Sequence, residues 1–234
     1  YFFKDKNTLL EFARNLSENC KVGGFVIGTC YDGRKIFDLL KDKNPNETIV
    51  KKNNTGEIIW KMTKRFDGND IKPDESSLGL EIDIYQESIN KTHTEYIVLF
   101  DYFTKILDLY GFVPCPPEDL GRFGLDAPIG SFSQLFELMN NDITEGKFNK
   151  KNIGRATEMT DGEKFVSFLN NYYVYKKQKH VNIQTVENSL NHVADPITQK
   201  EIDLQKSILG ESIPTHREYV VKYKRKIILG ESNQ

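Results

Sequence analysis

Glu95 is the side chain whose setting could do chemistry. It lies between a polar stretch, residues 86–94, and an aromatic run at helical spacing, so its carboxylate stands where a polar loop meets an apolar core. A carboxylate there can accept two parallel hydrogen bonds from a planar donor and offset positive charge growing on a bound ring. The simpler role is an acid in the first turn of a helix, favoured by the helix dipole. Other chemistries find no residues at workable spacing. His93, His180, His192 and His216 show neither ligand spacing nor a nucleophile partner, and read as surface residues. Cys20, Cys30 and Cys115 are odd in number and lack metal-ligand spacing, which suits free thiols in a reducing compartment. Gly121-Arg-Phe-Gly124 lacks the preceding strand and following helix of a phosphate- or donor-binding glycine loop.

The elements that would position Glu95 follow from periodicity. Leu80, Ile82 and Ile84 alternate with Glu81, Asp83 and Tyr85, the period of a half-buried strand. Tyr96, Phe100, Phe103 and Leu107 then fall at helical spacing, and the helix stops at Gly111. Upstream, residues 5–16 read as a helix with Leu9, Leu10, Phe12, Ala13 and Leu16 inward. Gly23-Gly24 turns into Phe25-Val26-Ile27-Gly28-Thr29, an apolar run suited to a central parallel strand, and residues 35–40 start another helix. Ligands in such folds sit beyond the carboxyl ends of strands, which makes residues 29–32 a candidate site wall. Residues 48–52 and 57–64 read as a hairpin turned at Asn53-Asn54-Thr55-Gly56, with Trp60 as core. Farther on, residues 131–139 read as a helix with Ser131 as N-cap, 140–155 as a lysine- and asparagine-rich loop, 159–169 as a helix and 170–176 as a strand. A helix is expected over 195–209. Lys222-Tyr-Lys-Arg-Lys226 is a basic run, and Ile208-Leu-Gly-Glu-Ser212 recurs as Ile228-Leu-Gly-Glu-Ser232, too little for a repeat architecture.

A strand, a loop, Glu95-Tyr-Ile-Val-x-Phe-Asp-Tyr102 and a helix closing in Tyr110-Gly-Phe112 resemble the mRNA cap guanine-N7 methyltransferases, above all those of poxviruses and giant DNA viruses. The segment from Tyr1-Phe2-Phe3 to Gly23-Gly24-Phe25-Val26-Ile27-Gly28-Thr29 is similar to the family's approach to its fifth core strand. The resemblance covers most of residues 1–112. It implies an α/β fold: the C-terminal portion of a class-I, Rossmann-like methyltransferase sheet, with a small antiparallel β group inserted. Residues 1–178 would be a partial methyltransferase domain whose donor loop lies upstream, and 179–234 an extension. It implies S-adenosylmethionine as cofactor and Glu95 as reader of the Watson–Crick edge of the cap guanine. Tyr1 matches the tyrosine of the family's His-Tyr pair, where donor and base meet. Asn170 falls where the family has an aromatic residue near the guanine, with Tyr172 and Tyr173 beside it. Capped RNA is the implied partner, joined by a stimulatory subunit or other capping-enzyme domains, in a viral factory of the host cytoplasm, in a virion, or in the nucleus of a cell.

Such chemistry fits the lack of an acid–base pair. Guanine N7 is nucleophilic and carries no proton, so methyl transfer needs proximity, alignment and stabilisation of the purine cation rather than a general base. Alone, the chain is expected neither to methylate nor to bind S-adenosylmethionine. A net charge of −2 argues against holding RNA by bulk electrostatics, so any contact with it is local. No apolar run reaches the length of a membrane span. Two other classes stay open: another class-I methyltransferase, and a non-catalytic binding or assembly module of a capping complex.

Overall fold

The computed structural model describes residues 1–147 and 153–192. Asp5 caps α1 (Lys6–Asn19), accepting from the Thr8 backbone N–H at 2.8 Å, and the helix buries Leu9 and Ala13. β1 (Phe25–Tyr31) follows. Asp32 then caps α2 (Gly33–Leu40), whose Ile36, Phe37 and Leu40 are buried. Next come β2 (Thr48–Lys52), β3 (Ile58–Lys64), β4 (Glu81–Gln86) and β5 (Lys91–Tyr96), which form one antiparallel sheet in that order. The chain continues through α3 (Phe100–Leu109), β6 (Phe112–Pro114), α4 (Pro117–Leu120), β7 (Ile129–Ser131) and α5 (Phe132–Thr144), then α6 (Asp161–Phe168) and β8 (Asn170–Lys177). These elements belong to one compact unit, Tyr1–Ile183; the second begins at Gln184, one residue into α7 (Ile183–His192).

The larger sheet is built on β8. One of its edges pairs with β1 over seven positions, and the other is shared by β7 at Asn171–Tyr173 and β6 at Tyr175–Lys177, all antiparallel. Alternation along β8 splits its side chains between two layers. Tyr172 and Val174 join Cys115 and Leu120, with Phe25, Phe132 and Leu135 against them. Tyr173 and Tyr175 turn the other way, their rings 5.5 and 5.7 Å from that of Phe103 on α3. Each buried ring contributes about 1.5–3 kcal/mol by leaving water. Tyr173 and Tyr172 each lie over a glycine: a Cβ at Gly28 would meet the Tyr173 ring, and one at Gly130 the Tyr172 ring. Two lysines are buried and satisfied by oxygen: Lys177 donates to Ser17, and Lys64 to the carbonyls of Lys43 and Gly68.

The structure is a mixed α/β arrangement with antiparallel sheets. The small antiparallel group stands where the sequence places it, with Ile82 and Ile84 buried and Trp60 at 3 % exposure. Ser131 and Thr160 both make capping boxes. Phe25–Tyr31 pairs on one edge only among the described residues, and antiparallel, so the expected continuous burial fails and Ile27 is 60 % exposed. Residues 91–96 form a strand where a polar loop was expected. The helix after it begins at Phe100, so Glu95 and Tyr96 end a strand instead of opening a helix. Helix α5 runs to Thr144, into the stretch read as a loop. The expectations for residues 195–209 and 222–226 and for the repeated pentapeptide lie outside the described residues.

Candidate functional site

Glu95 owes its position to a crossing of two connections. The link from β1 to α2 passes the link from β5 to α3 so closely that Gly33 donates to the Val98 carbonyl at 3.0 Å, beside a parallel bridge between Asp32 and Val98. A Cβ on residue 33 would collide with Ile97 and the Val98 backbone, which is why a glycine stands there. Ile97, Val98 and Leu99 are buried and anchor the crossing. Three residues before Val98, Glu95 is therefore held near the carboxyl end of β1, where Cys30 and Tyr31 feel its charge.

A polar relay fixes the end of β1. Asp32 accepts from the Arg34 backbone N–H at 3.0 Å and from Asn171 Nδ2 at 2.9 Å. Asn171 Oδ1 in turn accepts from Lys35 Nζ at 2.9 Å, and that ammonium also reaches the Phe168 carbonyl at 3.0 Å. Burial lowers the Lys35 pKa, against the opposing effect of Asp32. β1, β8, α2 and the end of α6 are thus tied at one point. A second tie joins the two sheets, since Gln86 Nε2 donates to the Tyr31 hydroxyl at 2.6 Å.

Two groups near Glu95, Cys30 and Tyr31, are neutral at physiological pH. Burial, then the charges of Asp32 and Glu95, push the Cys30 thiol up to about 12. Burial pushes the Tyr31 phenol to about 12 as well; the Gln86 bond opposes this and Glu95 adds to it. Cys30 is therefore no thiolate nucleophile. Glu95 is 42 % exposed at its side chain, with one oxygen 3.5 Å from the Tyr1 nitrogen. The Tyr1 ring meets that of Tyr96 edge-on at 6.3 Å and stays 71 % exposed, accessible to a cationic or planar group. The ensemble can dock a planar donor on one accessible carboxylate. Among the described residues no group of three or more His, Cys, Asp and Glu could hold a metal ion, and His93 and His180 are exposed.

The sequence-derived residues divide accordingly. Glu95 and Tyr1 are adjacent. Asn170 faces Tyr31 across the β1–β8 pair, with its amide nitrogen donating to the Val166 and Ser167 carbonyls. It also lines a cavity of about 280 Å³ together with Gln86. Tyr172 and Tyr173 sit in opposite buried layers, and the Tyr172 hydroxyl donates to the Ala127 carbonyl at 3.0 Å. Tyr31 and Gln86 carried no sequence signal of partnership beyond Tyr31 lying in the expected site wall.

This chain is similar to a viral capping enzyme. It is 24 % identical over 237 residues to the probable mRNA-capping enzyme of Acanthamoeba polyphaga mimivirus, an alignment covering 89 % of this chain and 18 % of that protein. The chain thus spans about a fifth of the relative's length. No family model matches the chain.

Proposed function

We propose that this chain is the cap-reading part of an mRNA (guanine-N7) methyltransferase, with Glu95 as the guanine reader. The observation that carries the reading is the accessible carboxylate of Glu95, held at the end of a strand beside Tyr1. Similarity to a probable mRNA-capping enzyme supports the capping context. The Glu95 oxygens would accept from N1–H and the N2 amino group of guanine. Two such bonds fix the base in its plane, and the negative charge favours the purine cation over neutral guanine. Neutral Cys30 and Tyr31 suit a reaction in which no proton is removed. S-adenosylmethionine supplies the methyl group when bound, and the accessible Tyr1 ring next to Glu95 fits a place where donor and base meet.

The test is methyl transfer to a GpppA cap by the whole capping protein that contains this chain. Glu95→Gln keeps the shape but turns one acceptor into a donor and removes the charge. A hydrogen bond to a charged group is worth about 1.5–3 kcal/mol, so the rate should fall roughly ten- to a hundredfold. Inosine in place of the cap guanine, which lacks the N2 amino group, should weaken the wild type far more than the variant. Near-normal methylation by Glu95→Gln would remove Glu95 from the reaction.

A further inference from the structure

Beyond the Tyr31–Gln86 tie, the surface continues as a groove between the small sheet and α6. Its first part is the cavity of about 280 Å³ lined by Gln86, Ser88, Ser167 and Asn170. Its second is a cavity of about 460 Å³, lined by Lys51, Lys52, Asn53 and Asn54 on one side and by the start of α6 on the other. Ile59 lines both, so they are neighbouring parts of one seam. The strand register puts Lys91, Gln86, Trp60 and Lys51 in one cross-strand row, on the same face as Glu95. Four residues along and three strands across, that row's far end lies about 19 Å from Glu95 by ordinary strand spacing.

The chemistry changes along the groove. The first cavity offers amide and hydroxyl groups. It also holds the carboxylates of Glu87 and Glu163, the latter already accepting from the Thr160 N–H and hydroxyl. These surroundings favour the hydroxyl- and amino-bearing parts of a nucleoside over a phosphate. The second cavity presents two exposed lysines, Lys51 and Lys52, that end β2 beside a stiff turn, with Asp161 lining the facing side. Asn53 Oδ1 accepts from the Thr55 and Glu57 backbone N–H groups at 3.0 and 2.9 Å, and its amide nitrogen donates to Glu57 at 2.9 Å. Lysines on a rigid hairpin are suited to backbone phosphates.

We infer that this groove is the path by which the transcript leaves the cap site, with the first transcribed nucleoside in the 280 Å³ cavity and the following phosphates at Lys51 and Lys52. The span matches a cap triphosphate bridge plus the first nucleotides. The inference rests on Glu95 as the guanine reader and adds a site for RNA beyond the cap. It also explains how a chain of net charge −2 contacts RNA locally.

The experiment compares two substrates in the whole capping protein: the dinucleotide cap GpppA and a capped RNA of about twenty nucleotides, long enough to pass the lysines. Lys51→Gln with Lys52→Gln should raise KM for the long RNA roughly three- to tenfold and flatten its log–log salt dependence by about 0.7 per lysine. Methylation of GpppA and the melting temperature should stay unchanged. Lys21→Gln, at the amino end of β1, is the control and should alter neither substrate. An unchanged KM for the long RNA overturns the path while leaving the guanine reading intact, and so does an equal loss on both substrates. A wild-type protein that methylates neither substrate removes the guanine reading and the path with it.

Discussion

At the scale of single residues, the position of Glu95 decides between its two roles. An acid in the first turn of a helix would act on the dipole. Glu95 instead sits opposite Ile82 in the β4–β5 pair, and α3 starts at Phe100 with Leu99 as its N-cap. The Glu95 side chain is 42 % exposed, so Glu95→Gln should change activity without moving the melting temperature. Asn171 is the structural counterpart. It is 8 % exposed, and its amide bridges the Asp32 carboxylate to the Lys35 ammonium. Asn171→Ala leaves both charged partners short of a bond in a partly buried place and should cost about 1–3 kcal/mol. The denaturant midpoint should fall at constant slope; an unchanged midpoint would mean that water replaces the amide. The relay was illegible in sequence because its members are 139 and 136 positions apart. Glu95 stood out only because a polar stretch and an aromatic run meet there.

Among the elements, the legible ones were those with a buried side. β4 alternates strictly because one face lies on the core, and α3 shows its apolar spacing for the same reason. β5 escaped because it is an edge strand whose residues 91–94 are all exposed, so no apolar period marks it. β1 was found, but its apolar run suggested two-sided burial that the described residues do not supply. The β1–β8 pair depends on the seating of Tyr173 over Gly28. Gly28→Ala forces the ring aside and should destabilise by about 1–3 kcal/mol. Tyr173→Leu should relieve part of that penalty, giving a coupling in a double-mutant cycle well above its error. Additive effects would show that the ring shifts freely.

For the molecule as a whole, burial of phenols predicts how it fails in alkali. Tyr31 and Tyr173 are pushed to about 12 by burial, and Tyr175 is raised still further, whereas an unfolded chain ionises them near 10. The unfolded state loses protons first, so this stability is intact below pH 10 and is lost as pH climbs toward 12. Each such tyrosine removes up to about 1.4 kcal/mol per pH unit in that window. The melting temperature should hold from pH 7 to 9 and drop steeply above 10, with phenolate absorbance rising in step with unfolding; a flat profile to pH 11.5 would contradict it. The two glycine–tyrosine seats also bear on descent. A larger residue at 28 or 130 has no room until the tyrosine across from it shrinks, and a smaller residue at 173 or 172 leaves a hole until the glycine grows. Each route passes through a damaged intermediate. Relatives should therefore carry either both members of a couple or neither, and a sequence with one member alone should show a compensating change in the neighbouring layer.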